Sequence, residues 1–154
     1  LTVERIRAKI PDVSITTDVI VGFPGETDQD FQNTLDLCRD LKFTNMHVFP
    51  YSVRVGTSAA YAKNQVSETD KANRMEVMLA LDSEMASYSR QKAIGSDRSV
   101  LWEYERKVND RSTVWGLTDN YLKVYTWGDR DLVNQITPAS LVQKQGEFLF
   151  AEVI

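Results

Sequence analysis

The chain has one cysteine and one histidine in 154 residues, Cys38 and His47. A lone cysteine excludes an internal disulfide framework, and neither residue alone builds a cysteine-held cluster or a zinc site. Runs of about 18 apolar residues, the length that spans a bilayer, are missing, so a soluble, cytoplasmic protein is expected. Positive charge is also scarce: 18 Lys+Arg stand against 22 Asp+Glu, a net charge of −4. The deficit is shared, with 11 basic and 13 acidic residues in 1–95 and 7 and 9 in 96–154. Neither part offers nucleic acid a general basic field, so any RNA contact has to come from a local patch.

The stretch "TTDVIVGFPGETDQDF", residues 16–31, carries two glycines, a proline and a carboxylate between an apolar run and a helix. A phosphate-binding loop of the Walker type needs Gly-Lys-Ser/Thr, but Gly25 is followed by Glu26. Gly22 and Gly25 also miss the three-glycine dinucleotide spacing. Both phosphate readings are therefore excluded.

The surrounding residues set out an α/β pattern. "LTVERIRAKIPD" reads as a helix stopped by Pro11, as if the chain began inside a larger domain. Residues 13–21 are β-branched and nearly continuous, as in a parallel strand covered by helices. Period-two alternation puts Thr16, Asp18 and Ile20 on one face and Thr17, Val19 and Val21 on the other. The apolar face should meet helices, which turns Asp18 toward the interior of a sheet or barrel. Thr27 with Asp30 three residues on reads as a capping box opening a helix of roughly 14 residues, with Phe31, Leu35 and Cys38 on its core stripe. "FTNMHVFPYS", 43–52, is a second strand, so a parallel strand-helix-strand crossover follows. Residues 53–66 form a loop on the carboxyl side of that strand, where α/β folds place ligands. Ser67 and Asp70 cap a long amphipathic helix over 68–94 with Met75, Met78, Leu79, Leu81, Met85 and Tyr88 inside, ended by Gly95.

From Ser96 the period changes. Five short strand-like runs are divided by Asn109-Asp110, Asp119-Asn120, Gly128-Asp129 and Gly146, the pattern of a small β-barrel. The length allows two small cores, one in residues 1–95 and one in 96–154.

"TDVIVGFPGETDQDF", "MHVFPYSVRVGTSAA" and "GLTDNYLKVY", in that order, resemble the carboxyl half of the radical S-adenosylmethionine methylthiotransferases. These enzymes put a methylthio group on adenosine beside tRNA anticodons or on a ribosomal protein. The resemblance covers almost the whole chain. It implies that 1–95 are the last strand-helix units of a partial TIM-like barrel and that 96–154 are similar to the family's RNA-binding TRAM domain. "HVFPYS" most resembles the threonylcarbamoyladenosine branch, with the isopentenyladenosine and ribosomal-protein branches as nearest rivals.

The resemblance also assigns roles. Asp18 would accept hydrogen bonds from the ribose hydroxyls of S-adenosylmethionine, with Ile20 and Tyr51 or Ser52 near its adenine. Asp18 as a structural acid and Ile20 as core are the plainer readings. Glu26 either contacts ligand or is a solvated or capping residue near the helix start, and His47 either lines the cavity or packs. Arg54 would meet a substrate carboxylate or phosphate, in a loop where the family commonly has prolines at the positions of Val53, Val55 and Ser58. Arg106, Lys107, Arg111, Lys123 and Arg130 are the candidate phosphate contacts. Trp102, Tyr104, Trp115, Tyr121, Tyr125 and Trp127 offer either stacking surfaces or barrel core. Alternation puts Trp102, Tyr104 and Arg106 on one face.

One departure from the family governs the rest. The C-x3-C-x2-C motif that holds the [4Fe–4S] cluster is missing, as is the amino-terminal domain with a second cluster. The expectation is a piece of a longer enzyme, inactive alone, with no catalytic or metal-binding residue of its own. Its partners would be the missing amino-terminal part and a tRNA anticodon stem-loop, not a membrane. An open barrel edge left by truncation would also let copies pair. The alternative is a stand-alone RNA-binding or assembly module.

Overall fold

A computed structural model describes residues 2–128 and 130–154. Contacts divide it into two compact units: residues up to Lys9 with Ile15–Ala86, and Ile10–Ser14 with Ser87–Ile154.

In the first unit the order is α1 (Thr2–Lys9), β1 (Thr16–Val21), α2 (Asp28–Leu41), β2 (Asn45–Pro50), a 3-10 turn (Ser58–Tyr61) and α3 (Glu68–Ala93), whose residues from Ser87 onward count with the second unit. β1 and β2 are parallel, in register from Thr16 opposite Asn45 to Val21 opposite Pro50. Val19, Val21 and Met46 are buried with Leu35 and Cys38 of α2, Phe43, and Met78, Leu81 and Met85 of α3. Burial of each such side chain stabilises by about 1.5–3 kcal/mol. The opposite strand face is exposed: Ile20 is 55% and Phe49 50% accessible, beside exposed Asp18 and His47.

Local signals account for the helix ends. Thr27 accepts from the Asp30 N–H and the Asp30 carboxylate accepts from the Thr27 N–H, closing the capping box. Ser67 Oγ likewise accepts from the Asp70 N–H at 3.1 Å. Both strands are shorter than the apolar runs that foreshadow them. His47 is exposed rather than packed, and Leu79 and Tyr88 stand 48% and 55% exposed. The buried stripe of α3 is instead Lys71, Arg74, Met78, Leu81 and Met85, at alternating spacings of three and four.

The second unit is a closed barrel of β3 (Asp97–Val108), β4 (Arg111–Thr118), β5 (Lys123–Trp127), β6 (Ile136–Gln145) and β7 (Phe148–Val153), ordered β3-β4-β5-β7-β6. The run that begins at Leu132 enters its strand only at Ile136, after a 3-10 turn over Arg130–Leu132. Asn109 and Asp110, both at positive φ (50° and 61°), make the two-residue β3–β4 turn, where Asn and Asp tolerate the left-handed region. Asp129 of the Gly128-Asp129 boundary lies outside the described residues. Val100, Trp102, Val114, Val124, Leu141 and Leu149 fill the interior. Gly116 opposes Trp102, and a Cβ there would collide with the Leu101 carbonyl, so only glycine permits this strand approach.

A register shift between Trp102 and Tyr104 makes Glu103 an extra residue of β3. Before it Val100 and Trp102 point inward, both fully buried; after it Tyr104, 44% exposed, and Arg106 point outward. Strict alternation would place Trp102, Tyr104 and Arg106 together, and the bulge separates the first from the other two.

Candidate cofactor-side turn and nucleic-acid interface

The turn after β1 is built around Glu26. Its Oε2 accepts from the Gly22 N–H at 2.6 Å and from Arg74 Nη1 at 2.6 Å, while Arg74 also donates to the Glu26 carbonyl (3.1 Å) and to Asp28 Oδ1 (2.8 Å). Side chains of Arg74 and Glu26 are 8% and 12% exposed. Burial alone would lower the Arg74 pKa, but the hydrogen bonds and charges of Asp28 and Glu26 outweigh it and raise it. Gly22 (φ 73°) and Gly25 (φ 91°) occupy the left-handed region, and the space a Gly22 Cβ would need is filled by the Lys71 stem. Gly22 therefore admits α3 to the turn, Gly25 admits the Asn64 side chain of the loop preceding α3, and Glu26 clamps the turn to that helix.

Of the residues assigned to cofactor, Asp18 and Ile20 lie on the bare strand face. Asp18 is in register with His47, and Ile20 with Phe49. At the end of β2 the Tyr51 N–H donates to the Val21 carbonyl at 2.8 Å. The Tyr51 ring meets Phe23 edge-on at 5.2 Å, with Lys71 Nζ 5.6 Å from its centroid. Its hydroxyl is buried and has no hydrogen-bond partner among the described residues. Ser52 and Arg54 are exposed in the following loop, where the Arg54 carbonyl accepts from Thr57.

An iron–sulfur cluster does not fit this chain's own residues. No group of three or more His, Cys, Asp or Glu side chains gathers among the described residues. Cys38 is buried on the core side of α2, where burial pushes its thiol pKa up. The Asp18 face does suit a nucleoside: an exposed acceptor-only carboxylate borders the apolar Ile20 and Phe49.

On the barrel, cross-strand partners carry Tyr104, Trp115, Tyr125 and Phe150 in one outer row over β3, β4, β5 and β7. Trp115 and Tyr125 stack at 4.9 Å, Tyr125 meets Phe150 at 5.4 Å, and Phe148 stands edge-on to Trp115 at 4.7 Å. Burial raises the Tyr125 pKa, against an opposing hydrogen bond with Gln145. Three of the candidate cations sit on these rings. Arg106 lies 5.7 Å from the Tyr104 centroid and 6.0 Å from that of Trp115, Arg111 lies 5.7 Å from Trp127, and Lys123 lies 6.0 Å from Phe148. Lys107 and Arg130 are exposed, on β3 and in the 3-10 turn, without a ring contact among the described residues. Trp102 belongs to the core, its Nε1 donating to Thr137 at 2.8 Å, and Tyr121 is 79% exposed in a turn. Phe148 and Phe150 escaped the sequence reading, although the alternation "FLFA" at 148–151 signals their shared face.

No family model matches the chain. It is 38% identical over 141 residues to the tRNA-2-methylthio-N(6)-dimethylallyladenosine synthase of Carboxydothermus hydrogenoformans, covering 92% of this chain and 32% of that protein. It is 33% identical over 151 residues to the threonylcarbamoyladenosine tRNA methylthiotransferase of Bacillus subtilis, covering 94% and 34%. A dimethylallyladenosine synthase of Syntrophus aciditrophicus is 38% identical over 157 residues, covering 99% and 34%. The chain thus spans about a third of the length of the curated relatives it matches. By sequence it belongs to the radical S-adenosylmethionine methylthiotransferases, as its three motifs implied. Enzymes named for dimethylallyladenosine and for threonylcarbamoyladenosine both occur among these relatives.

Proposed function

We propose that this chain is the tRNA-gripping and cofactor-edge portion of a longer, cytoplasmic enzyme that methylthiolates carbon 2 of an N6-substituted adenosine beside a tRNA anticodon. The observation that carries the proposal is the barrel's outer row of aromatic rings flanked by Arg106, Arg111 and Lys123. Rings stack on unpaired bases and cations hold phosphates, and the acidic balance of the chain leaves such a patch as the route to RNA. Lys107 and Arg130 would extend the phosphate contacts from the barrel's ends.

In the first unit, read as the last strand-helix part of the catalytic barrel, Asp18 would accept from ribose hydroxyls. Ile20 would lie against the adenine, with the unpartnered Tyr51 hydroxyl or Ser52 at its edge. Bound S-adenosylmethionine and a [4Fe–4S] cluster, held by cysteines this chain does not contain, supply the radical and methyl-transfer chemistry. Each of the two strands also has one unpaired edge, through which copies of this piece would associate.

For the substituent we favour threonylcarbamoyl. It carries a carboxylate, and Arg54 offers an exposed guanidinium without an ion pair among the described residues, beside the "HVFPYS" motif. The second reading is dimethylallyl, favoured by the relatives of Carboxydothermus and Syntrophus. Mass spectrometry of tRNA nucleosides from cells with the gene disrupted separates them. Loss of the methylthio group from threonylcarbamoyladenosine supports the favoured reading, and its loss from dimethylallyladenosine replaces it with the second. Unchanged nucleosides would leave an RNA-binding module and refute both.

A further inference from the structure

A small cavity on the barrel's outer face, about 190 Å³, is lined by Glu103, Tyr104, Trp115, Gly116, Lys123 and Phe148, among others. We propose that it receives one unpaired guanine base of the bound RNA, read by the Glu103 carboxylate. The inference rests on the RNA-binding reading of this face and adds a base preference to it.

The size fits a single base, since pockets for drug-sized ligands begin near about 300 Å³. Its walls suit a flat ring. The Tyr104 and Trp115 planes are parallel to within 3°, with centroids 6.5 Å apart, and Phe148 is nearly perpendicular to Trp115 (84°). A ring lying parallel to the first two is met by Phe148 from the side. Gly116, which brings β3 and β4 close together, contributes backbone to the lining. Lys123, with its ammonium against the Phe148 ring, is placed at the rim for the adjoining phosphate.

The choice of base follows from Glu103. The bulge in β3 makes this residue the unpaired extra member of its strand and directs it to the cavity. Its carboxylate has no hydrogen bond or ion pair among the described residues, and Lys123 is not within ion-pair distance of it. An ionised carboxylate only accepts. Guanine alone presents two adjacent N–H donors on its Watson–Crick edge, at N1 and N2. Adenine and cytosine place a ring-nitrogen acceptor beside their amino group, and uracil flanks its single donor with two carbonyls.

The test is a tryptophan-fluorescence titration of the chain with short single-stranded RNAs: all-uridine, and the same with a central guanosine, inosine or adenosine. The guanosine RNA should bind about tenfold more tightly than the adenosine RNA, the scale of one bidentate base contact, with inosine between them because it lacks the N2 amino group. Glu103→Gln should abolish most of that preference without weakening the all-uridine RNA. Glu103 is exposed, and circular dichroism verifies that the variant folds. Equal binding of all four RNAs, or a uniform shift of all four in Glu103→Gln, would overturn the guanine pocket and leave the stacking face. Failure of every RNA to bind would overturn both.

Discussion

β1 and β4 alternate in the same way, one side chain in and the next out, yet their outer faces differ. In the parallel pair β1–β2, helices cover Val19 and Val21, and the opposite face leaves Ile20 and Phe49 half exposed beside Asp18. In the barrel the sheet closes on itself, so its interior satisfies the apolar side chains and the outer rings of Trp115 and Tyr125 are stacked on neighbours. The bare apolar face of the first unit is a surface awaiting a cover, whereas the barrel's outer face is already organised by its own contacts. The first unit also relies on buried cations, Lys71 and Arg74, where the buried polar residues of the barrel are the uncharged Thr113, Thr118 and Thr126.

The largest effect is expected where that contrast is sharpest. Arg74→Ala leaves Glu26 nearly buried without its partner and should destabilise the first unit by about 3–5 kcal/mol in denaturant titration followed by helical circular dichroism. The tryptophans all lie in the barrel, so their fluorescence transition should stay near its original midpoint. A common shift of both signals would break the comparison. Gly116→Ala should act in reverse, lowering the fluorescence midpoint by about 1–3 kcal/mol through the forced shift of the Leu101 backbone.

A smaller loss, about 1 kcal/mol, is expected for Thr27→Ala, which removes the α2 cap. Hydrogen bonds from the Thr27 side chain and backbone lower the Asp30 pKa, so this contribution is present above the ordinary carboxylate pKa. It is lost as pH falls through the depressed value, and a pH series of the same titration in wild type and variant should show the difference narrowing in acid. The smallest effect is chemical. Burial raises the Cys38 pKa, so alkylation in the native state should be slow and its pH profile displaced upward from that of a free thiol, reverting in denaturant.

Much of the fold could be read from local residues because the physics involved is local. Thr27 with Asp30, Ser67 with Asp70, and Asn109-Asp110 each set a cap or turn within four residues, and β1 shows its faces by alternation. The unread parts depend on distant partners. Glu26 finds Arg74 48 positions away, so its role as a clamp has no local signature. The stripe of α3 hides because two of its five buried residues are cations that reach partners while burying their stems. The bulge at Glu103 reversed the faces of β3 without a glycine or proline to announce it. Strict alternation therefore groups Tyr104 and Arg106 with Trp102, and the cavity beside them has no signature in the sequence.

The most direct measurement is the salt dependence of anticodon stem-loop binding by the chain and by its Arg106→Gln/Lys123→Gln variant. If the barrel's outer face grips tRNA, the variant binds more weakly. Its slope of log affinity against log salt also becomes shallower by about 1.4–1.8, the loss of two phosphate contacts. Equal affinity and equal slope in the two proteins would contradict the account and move the RNA-binding surface elsewhere.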